Sequence, residues 1–233
     1  RFPIAFTGAG ISVASGIPDF RSPGGIWSKY DPMDVATGDA LKNNPKKVWQ
    51  FLVDTADLLQ SCDPNEAHYA LAELESDHGL QAIITQNVDN LHQRAGSREV
   101  IEYHGNFERH YCQCCNTEVD RETVQQKAES AIPPICDNCQ DMIRPDVVFF
   151  GEAIPMQAMQ KSQELTRRAD LVLITGTSGE VAPANTIPRE IKMRGGTIME
   201  INKGPTHYLN ITDIRFDAPV EEILPQFVRM LKQ

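Results

Sequence analysis

Four cysteines fall into two C-x-x-C pairs, Cys112 with Cys115 and Cys136 with Cys139, separated by twenty residues. Two thiolates from each pair match the tetrahedral four-cysteine site of a zinc ribbon. Four thiolates leave no coordination position open, so such a metal would be structural. Cys114 is a spare thiol inside the first pair, where C-x-x-C geometry favours the outer two. Cys62 stands alone near a helix end and reads as a packing residue. A redox role is the poorer alternative, because nothing thioredoxin-like surrounds either pair. A second group follows an apolar run at residues 3–6. There Thr7-Gly8-Ala9-Gly10 can turn sharply and let a ligand approach backbone that carries no Cβ. A helix begun by residues 11–15 would offer N–H groups suited to a pyrophosphate. The strict G-x-G-x-x-G pattern fails, since Val13 takes the place of its third glycine and Gly16 comes later. Alone, this is equally a plain strand-to-helix turn. Pro18-Asp19-Phe20-Arg21 then sets an acid, an aromatic ring and a guanidinium beside it.

The elements that must position these groups are legible in outline. Residues 3–6, 81–85, 100–103, 147–149, 171–174 and 197–201 have the length and apolar character of buried strands. Residues 27–34 read as loop. Residues 34–60 are helical in pattern, with Val48, Phe51, Leu52, Ala56 and Leu59 at core spacing. Asp63-Pro64-Asn65-Glu66 is a helix start, with Asp63 as N-cap and Pro64 at the first helical position. That helix turns Ala67, Ala70, Leu71 and Leu74 inward and stops near Gly79. Further helical patterns cover 155–168, 183–194 and 219–232. Residues 108–145 are cysteine-rich, polar and unable to build a core unaided. Alternating strands and helices predict an α/β fold, a parallel sheet covered on both faces. In such sheets ligands lie beyond the strand C-termini. Gln86-Asn87, His104, Gly176-Thr177-Ser178 and Asn202-Lys203 all fall at those ends.

A chain of 233 residues buries roughly 70% of its unfolded surface and needs no staples. The net charge of −10 argues against nucleic-acid binding and suits a basic partner such as a lysine-bearing peptide. No run approaches the ~20 apolar residues of a membrane span, and no signal peptide is visible. The chain opens directly on a strand, which leaves a trimmed upstream segment open. Paired thiols point to a reducing, cytoplasmic setting.

Taken in order, these motifs resemble one family, the sirtuins, which are NAD-dependent protein lysine deacylases. The resemblance is carried by Gly8-Ala9-Gly10-Ile11-Ser12, Gly16-Ile17-Pro18-Asp19-Phe20-Arg21, Thr85-Gln86-Asn87-Val88-Asp89 with Leu91-His92, Tyr103-His104-Gly105, the paired C-x-x-C, Phe150-Gly151-Glu152 and Gly176-Thr177-Ser178. It implies a Rossmann-like NAD-binding domain (1–29, 68–107 and 146–233). A small domain would combine a helical insert (30–67) with the zinc-ribbon module (108–145). NAD and an acyl-lysine peptide would meet between the two, and the acyl group would pass to ADP-ribose with release of nicotinamide. His104 resembles the general base for a ribose hydroxyl, a task for which imidazole is suited by its pKa of about 6.5. Asn87 and Asp89 would orient ribose and carboxamide, with Gln86 near the ribose hydroxyls. Gly8, Ala9, Gly10 and Ser12 would line the phosphate side, Phe20 would be a lid over nicotinamide and acyl group, and Asp19 and Arg21 would fix that loop, with Arg21 also facing phosphate; taken alone, the two read equally as a surface ion pair. Gly176, Thr177 and Ser178 resemble a second phosphate cradle, with Asn202 and Lys203 near the adenosine ribose. Val148, Phe149 and Gly151 resemble the strip on which a peptide pairs as an added strand. His92 matches a family position but reads as structural.

Two departures stand out. Gly179-Glu180 follows Gly-Thr-Ser where a bulky aliphatic is usual. Relatives that prefer acidic acyl groups carry a Tyr and an Arg three apart in the insert, where Leu52 and Thr55 stand here. A mono-ADP-ribosyltransferase or NAD hydrolase on the same fold, and a non-enzymatic zinc-ribbon binding protein, are the competing readings. Without a cation to pair a buried carboxylate, succinyl-lysine should be a poor substrate. Mass spectrometry of paired acetyl and succinyl peptides of one sequence should show the acetyl form consumed at least about tenfold faster, on the order of one lost charge pair. Equal rates would remove the argument.

Overall fold

The apolar run near the start forms β1 (Pro3–Thr7), in which Ile4, Ala5 and Phe6 are fully buried. The computed structural model describes residues 1–20 and 24–232. After β1 the chain makes a 3-10 helix at Ala9–Ser15, tighter than the α-helix expected, and another short 3-10 turn at Ile26–Ser28. Three helices follow, α1 (Pro32–Val35), α2 (Gly38–Asn43) and α3 (Pro45–Gln60), where a loop and one continuous helix were expected. The breaks have local causes. Asp31 accepts from Met33 N to cap α1, and the Thr37 hydroxyl accepts from Ala40 N to cap α2. Pro45 sits at the first turn of α3 and drives Asn44 out of helical geometry, at φ −140° and ψ 57°.

Helix α4 (Glu66–Asp77) begins two residues later than expected. Its N-cap is Asn65 and not Asp63: Asn65 Oδ1 accepts from Ala67 N, and His68 Nδ1 accepts from Asn65 N to close a capping box. Then come β2 (Ile83–Thr85), α5 (Leu91–Arg94), β3 (Val100–Glu102), β4 (Gly105–Cys112) and β5 (Glu118–Val119). Helix α6 (Arg121–Ser130), capped by Asp120, was not foreseen in the cysteine-rich stretch. Strand β6 (Ile143–Val147) ends where a strand at 147–149 was expected to begin. The chain closes with α7 (Met156–Arg168), β7 (Leu171–Thr175), α8 (Thr186–Met193), β8 (Thr197–Ile201), an unforeseen edge strand β9 (Ile214–Phe216), and α9 (Val220–Leu231).

The larger sheet is parallel in every pairing and runs β3-β2-β1-β7-β8-β9. Counting only its own strands, this is the 3-2-1-4-5-6 order of a Rossmann sheet. Alternation along the strands supplies both faces. Ala5, Ile83, Leu173 and Met199 pack against Leu71 and Leu74 of α4 and Leu224 and Val228 of α9. Ile4, Phe6, Ile84, Val172 and Ile174 pack against Ile187 and Ile191 of α8. A smaller antiparallel sheet, β5-β4-β6, starts three residues before position 108 and runs two past 145. Its apolar residues Phe107 and Ile143, with Val124 of α6, share one core with Val48, Trp49, Phe51 and Leu52 of α3. Neither the helical insert nor the ribbon has a core of its own. Among the described residues no helix is long and apolar enough to cross a membrane.

Beneath β1, His68 and His92 are buried edge to face, with ring centroids 5.0 Å apart. Thr7 Oγ1 donates to Thr85 Oγ1 at 2.9 Å, so it accepts from His92 Nε2–H, also at 2.9 Å. Burial pushes His68 down to about 4; burial and the facing His68 hold His92 well below the ordinary range. Both rings are therefore neutral in the fold and protonate in the unfolded chain near pH ~6.5. Their contribution is complete above that pH and is lost as the pH falls toward the folded values. Chemical denaturation should show about 2–4 kcal/mol less stability at pH ~5 than at pH ~7, with proton uptake on unfolding. A flat profile over that interval would refute the neutral pair.

Candidate active site

The connections after β1 and β7 run to different sides of the sheet, so the crevice at the strand C-termini opens between these two neighbours. Two glycine turns meet there. Gly8 N donates to Thr175 O at 3.2 Å and Gly10 N to Gly176 O at 2.8 Å. A Cβ on Gly10 would lie 2.8 Å from Gly176 Cα, and one on Gly176, at φ +66°, would lie 2.2 Å from Ile11 N. The missing side chains serve first the contact of turn on turn. Gln86 spans both turns, its Nε2 donating to Thr7 O at 3.3 Å and to Thr177 Oγ1 at 3.0 Å. Ala9 is half-buried at the start of the 3-10 helix, and Asp19 O accepts from Ile26 N nearby. Arg21 lies outside the described residues.

The floor is a chain of short polar side chains. Asn87 Nδ2 donates to Gly8 O at 3.2 Å and to Ser12 Oγ at 3.1 Å, and Ser12 Oγ donates to Asp89 Oδ2 at 2.6 Å. Asn87 N donates to Thr85 Oγ1 at 3.0 Å, which joins this chain to the Thr7–His92 pair. Burial raises the Asp89 carboxyl, against the opposing bonds from Ser12 and from Leu91 N at 3.0 Å. Thr7 and Thr85 stand within the sequence motifs, but their part in binding His92 and Asn87 is visible only in the structure.

His104 sits where the chain leaves β3 for β4, at the joint between the two sheets. Its Nδ1–H donates to Gln86 O at 3.2 Å, which leaves Nε2 as the basic nitrogen. Burial lowers its pKa, and the Gln86 carbonyl works in the other direction. His104 O accepts from Val148 N at 2.9 Å. Gly105 is required beside it, because at φ +83° a Cβ would lie 2.0 Å from Asp146 O.

The strip at 148–151 is not the simple strand expected. Phe149 is buried in the small core under the Arg144 guanidinium, 5.0 Å from its ring centre, and its N–H donates to Glu152 Oε2. Arg144 pairs with both oxygens of Glu152 at 2.7 Å. Phe150 exchanges backbone bonds with Ala36 and Gly38 instead of continuing β6. Gly151, at φ +88°, turns the exposed end of the strip. Phe20 is 36% exposed and rests on Trp27, centroids 5.1 Å apart. Leu52 is buried in the core, and the Thr55 hydroxyl donates to Phe51 O at 2.7 Å.

On the β7–β8 side, Asn202 Oδ1 accepts from Thr177 N at 3.1 Å, while its Nδ2 donates to Thr177 O and to Glu200 Oε1. Its amide shapes the Gly176-Thr177 turn. Ser178 O accepts from His207 N, and Lys203 is exposed. Glu200, which the sequence reading missed, is fully buried and also accepts from Thr206 and Thr212 hydroxyls. Its signal was an acid inside the otherwise apolar run Ile198-Met199-Glu200-Ile201. Gly179 has its own reason: at φ +78°, a Cβ would lie 2.7 Å from the buried Tyr208 ring, so no bulky aliphatic fits there.

The Sγ atoms of Cys112, Cys115, Cys136 and Cys139 all lie within 4.8 Å of one another. Cys112 and Cys139 are 3.3 Å apart, Cys115 and Cys139 3.5 Å, and Cys115 and Cys136 3.7 Å. Zn–S bonds of ~2.3 Å in a tetrahedron place sulfurs ~3.8 Å apart, whereas a disulfide needs ~2.05 Å. The set fits one zinc ion. Bonds from the Thr117 hydroxyl and amide lower the Cys115 thiol, while the neighbouring thiols raise that of Cys139, so the four sulfurs share their protons as a set.

The Sir2 family model matches residues 8–183. The NAD-dependent protein deacetylase of Sulfurisphaera tokodaii is 49% identical over 99% of this chain and 91% of its own length. The NAD-dependent protein deacylase of Thermococcus kodakarensis is 43% identical over 100% and 91%. Among solved structures, a Sir2–p53 peptide–NAD+ complex superposes with a TM-score of 0.92 at 38% identity, covering 100% of this chain and 94% of that one. A Sir2 variant with deacetylated p53 peptide and 3'-O-acetyl ADP ribose gives 0.95 at 39% identity, covering 99% and 93%.

Protein isolated without chelators should contain one zinc per chain by a colorimetric release assay. Cys136→Ser should lose the metal together with the near-ultraviolet signal of Trp49, whose core Cys136 shares. Full metal content in that variant would exclude the four-thiolate site.

Proposed function

The chain belongs to the Sir2 family, and from that membership we propose that it is an NAD-dependent deacylase of protein lysines, acting on neutral acyl groups. The observation that carries this reading is the setting of His104. An imidazole with Nδ1 committed to Gln86 O leaves Nε2 basic at the joint of the two sheets, next to the 148–151 strip and to Gln86, whose own side chain spans both glycine turns. Bound NAD supplies the ADP-ribosyl group that accepts the acyl group as nicotinamide leaves.

The residues fit that cofactor. The Gly8–Gly10 and Gly176–Ser178 turns offer backbone at the switch point, where a pyrophosphate is held in such sheets. Gln86, Asn87 and Asp89 present amide and carboxyl groups that orient a ribose and a carboxamide, which is the positioning that brings reacting atoms into near-attack geometry. Asn202 and Glu200 fix the far turn, and Lys203 and Asp19 complete the polar rim. His104 Nε2 accepts the proton of a ribose hydroxyl; its lowered pKa keeps it in the basic form at neutral pH. Phe20 on Trp27 covers the reacting groups and excludes water. Val148 and Gly151 carry the acyl-lysine peptide by backbone pairing, a mode that accommodates varied sequences, while Phe149, buried and bonded to Glu152, anchors the strip in the small core. Leu52 and Thr55 offer no cation for an acidic acyl group.

The same reading assigns 1–29, 68–107 and 146–233 to the NAD-binding domain, and 30–67 with 108–145 to the small domain. Four cysteines grouped as a zinc site and two more outside any disulfide are in keeping with a reducing, cytoplasmic setting.

Incubation of the protein with an acetyl-lysine peptide and NAD, followed by mass spectrometry, should yield deacetylated peptide, nicotinamide and O-acetyl-ADP-ribose in equal amounts. His104→Ala should lower turnover by about 10²–10⁴-fold. Protein or peptide heavier by one ADP-ribose would establish a transferase instead. Free ADP-ribose without peptide turnover would mean a hydrolase, and no consumption of NAD would leave a binding protein.

A further inference from the structure

We infer that Asn65 is a positioning residue for the cofactor turn, holding the 3-10 helix Ala9–Ser15 in place from the side opposite Asn87 and Asp89. Every polar group of Asn65 is committed. Its Oδ1 accepts from Ala67 N at 2.9 Å, the helix-capping bond. Its Nδ2 reaches 54 residues back along the chain, donating to Ile11 O at 2.8 Å and to Ser15 Oγ at 2.9 Å. One amide therefore starts α4 with its oxygen and grips the cofactor turn with its nitrogen.

The turn needs such a grip. A 3-10 helix has poorer hydrogen-bond geometry than an α-helix, and seven residues cannot hold a helical shape in isolation. Its position is set by what clasps it. On one side Ser12 Oγ is bonded to Asn87 and Asp89. On the other, Ile11 O and Ser15 Oγ are bonded to Asn65. Asn65 is itself fixed from two directions. Arg94 donates to Cys62 O at 2.6 Å and pairs with Asp63, which pins the segment entering the cap. Asn65 N donates to His68 Nδ1 at 3.3 Å, the His68 ring lies against His92, and His92 Nε2 is bonded to Thr7 at the end of β1. The path from Thr7 through His92, His68 and Asn65 to Ile11 closes a ring around the first turn after β1. Asn65 also stands where the chain returns from the helical insert, so the insert and the cofactor turn are linked through one side chain.

This inference rests on the reading that the turn at Gly8–Ser12 binds NAD, and the test separates the two. Asn65→Ser and Asn65→Asp both retain an oxygen that caps α4. Ser cannot reach Ile11 O, and Asp has no N–H to donate to it. Asn65→Ala removes cap and grip together. NAD binding to the zinc-loaded proteins would be measured by titration calorimetry, alongside KM, kcat and urea denaturation. Loss of the grip should weaken NAD binding and raise its KM about three- to tenfold in all three variants, with kcat falling by less. The urea midpoint should drop clearly only in Asn65→Ala. NAD affinity within about twofold of wild type in both Ser and Asp variants would overturn the positioning role and leave Asn65 a helix cap. Failure of the wild-type protein to bind NAD would overturn the functional reading and this inference with it.

Discussion

The contact between two backbone turns, Gly8–Ile11 after β1 and Gly176–Thr177 after β7, is the constraint on which the rest of the structure depends. The turns approach so closely that even a methyl group on Gly10 or Gly176 would collide with the opposing backbone. That closeness sets the separation of the two halves of the Rossmann sheet at the point where the strand order reverses. It also explains why both turns are glycine-rich without satisfying the usual spacing. The spacing answers to a neighbouring turn as well as to a ligand. Gln86 then bonds across this joint, and Asn202 holds the Gly176–Thr177 turn from the β8 side.

Around that joint the molecule buries a dense set of polar groups, whose desolvation is offset by the bonds they make to one another. Thr7, Thr85, Asn87, Ser12 and Asp89 form a continuous chain of bonds, and the His68–His92 pair extends it beneath β1. Each member fixes the next, so the side chains presented to the crevice have little rotational freedom of their own. Rigidity here is a property of the set. A lone Asn or Ser after a strand would be a turn former, and it is the connected placement that makes a site of them.

Much of this was legible in the sequence. The parallel sheet followed from strands alternating with helices, and the polar clusters were placed at strand ends by position alone. What escaped was decided by geometry that spacing does not encode. Asp63-Pro64-Asn65-Glu66 holds two good capping residues, and the choice of Asn65 was made by His68 and Ile11, which no local pattern could reveal. The strand expected at 147–149 failed because Phe150 found partners in Ala36 and Gly38, far away in sequence. Helix α6 lies in a stretch whose composition speaks only of cysteines and charge. Glu200 was passed over because a single acid in an apolar strand looks like noise until the groups bound to its oxygens are seen in place.

The small core shared by α3 and the antiparallel sheet has a consequence for how the chain is made. Trp49, Phe51 and Leu52 meet partners at Phe107, Ile143 and Phe149, all synthesised much later. Between the emergence of Leu52 and that of Phe149 roughly a hundred residues must be translated, about 5–20 s at ribosomal rates. During that interval an amphipathic helix carries its apolar stripe uncovered. The order of segments along the chain thus assigns this protein a waiting period, and a nascent chain of this design is a natural client for chaperones that bind exposed aliphatic and aromatic side chains.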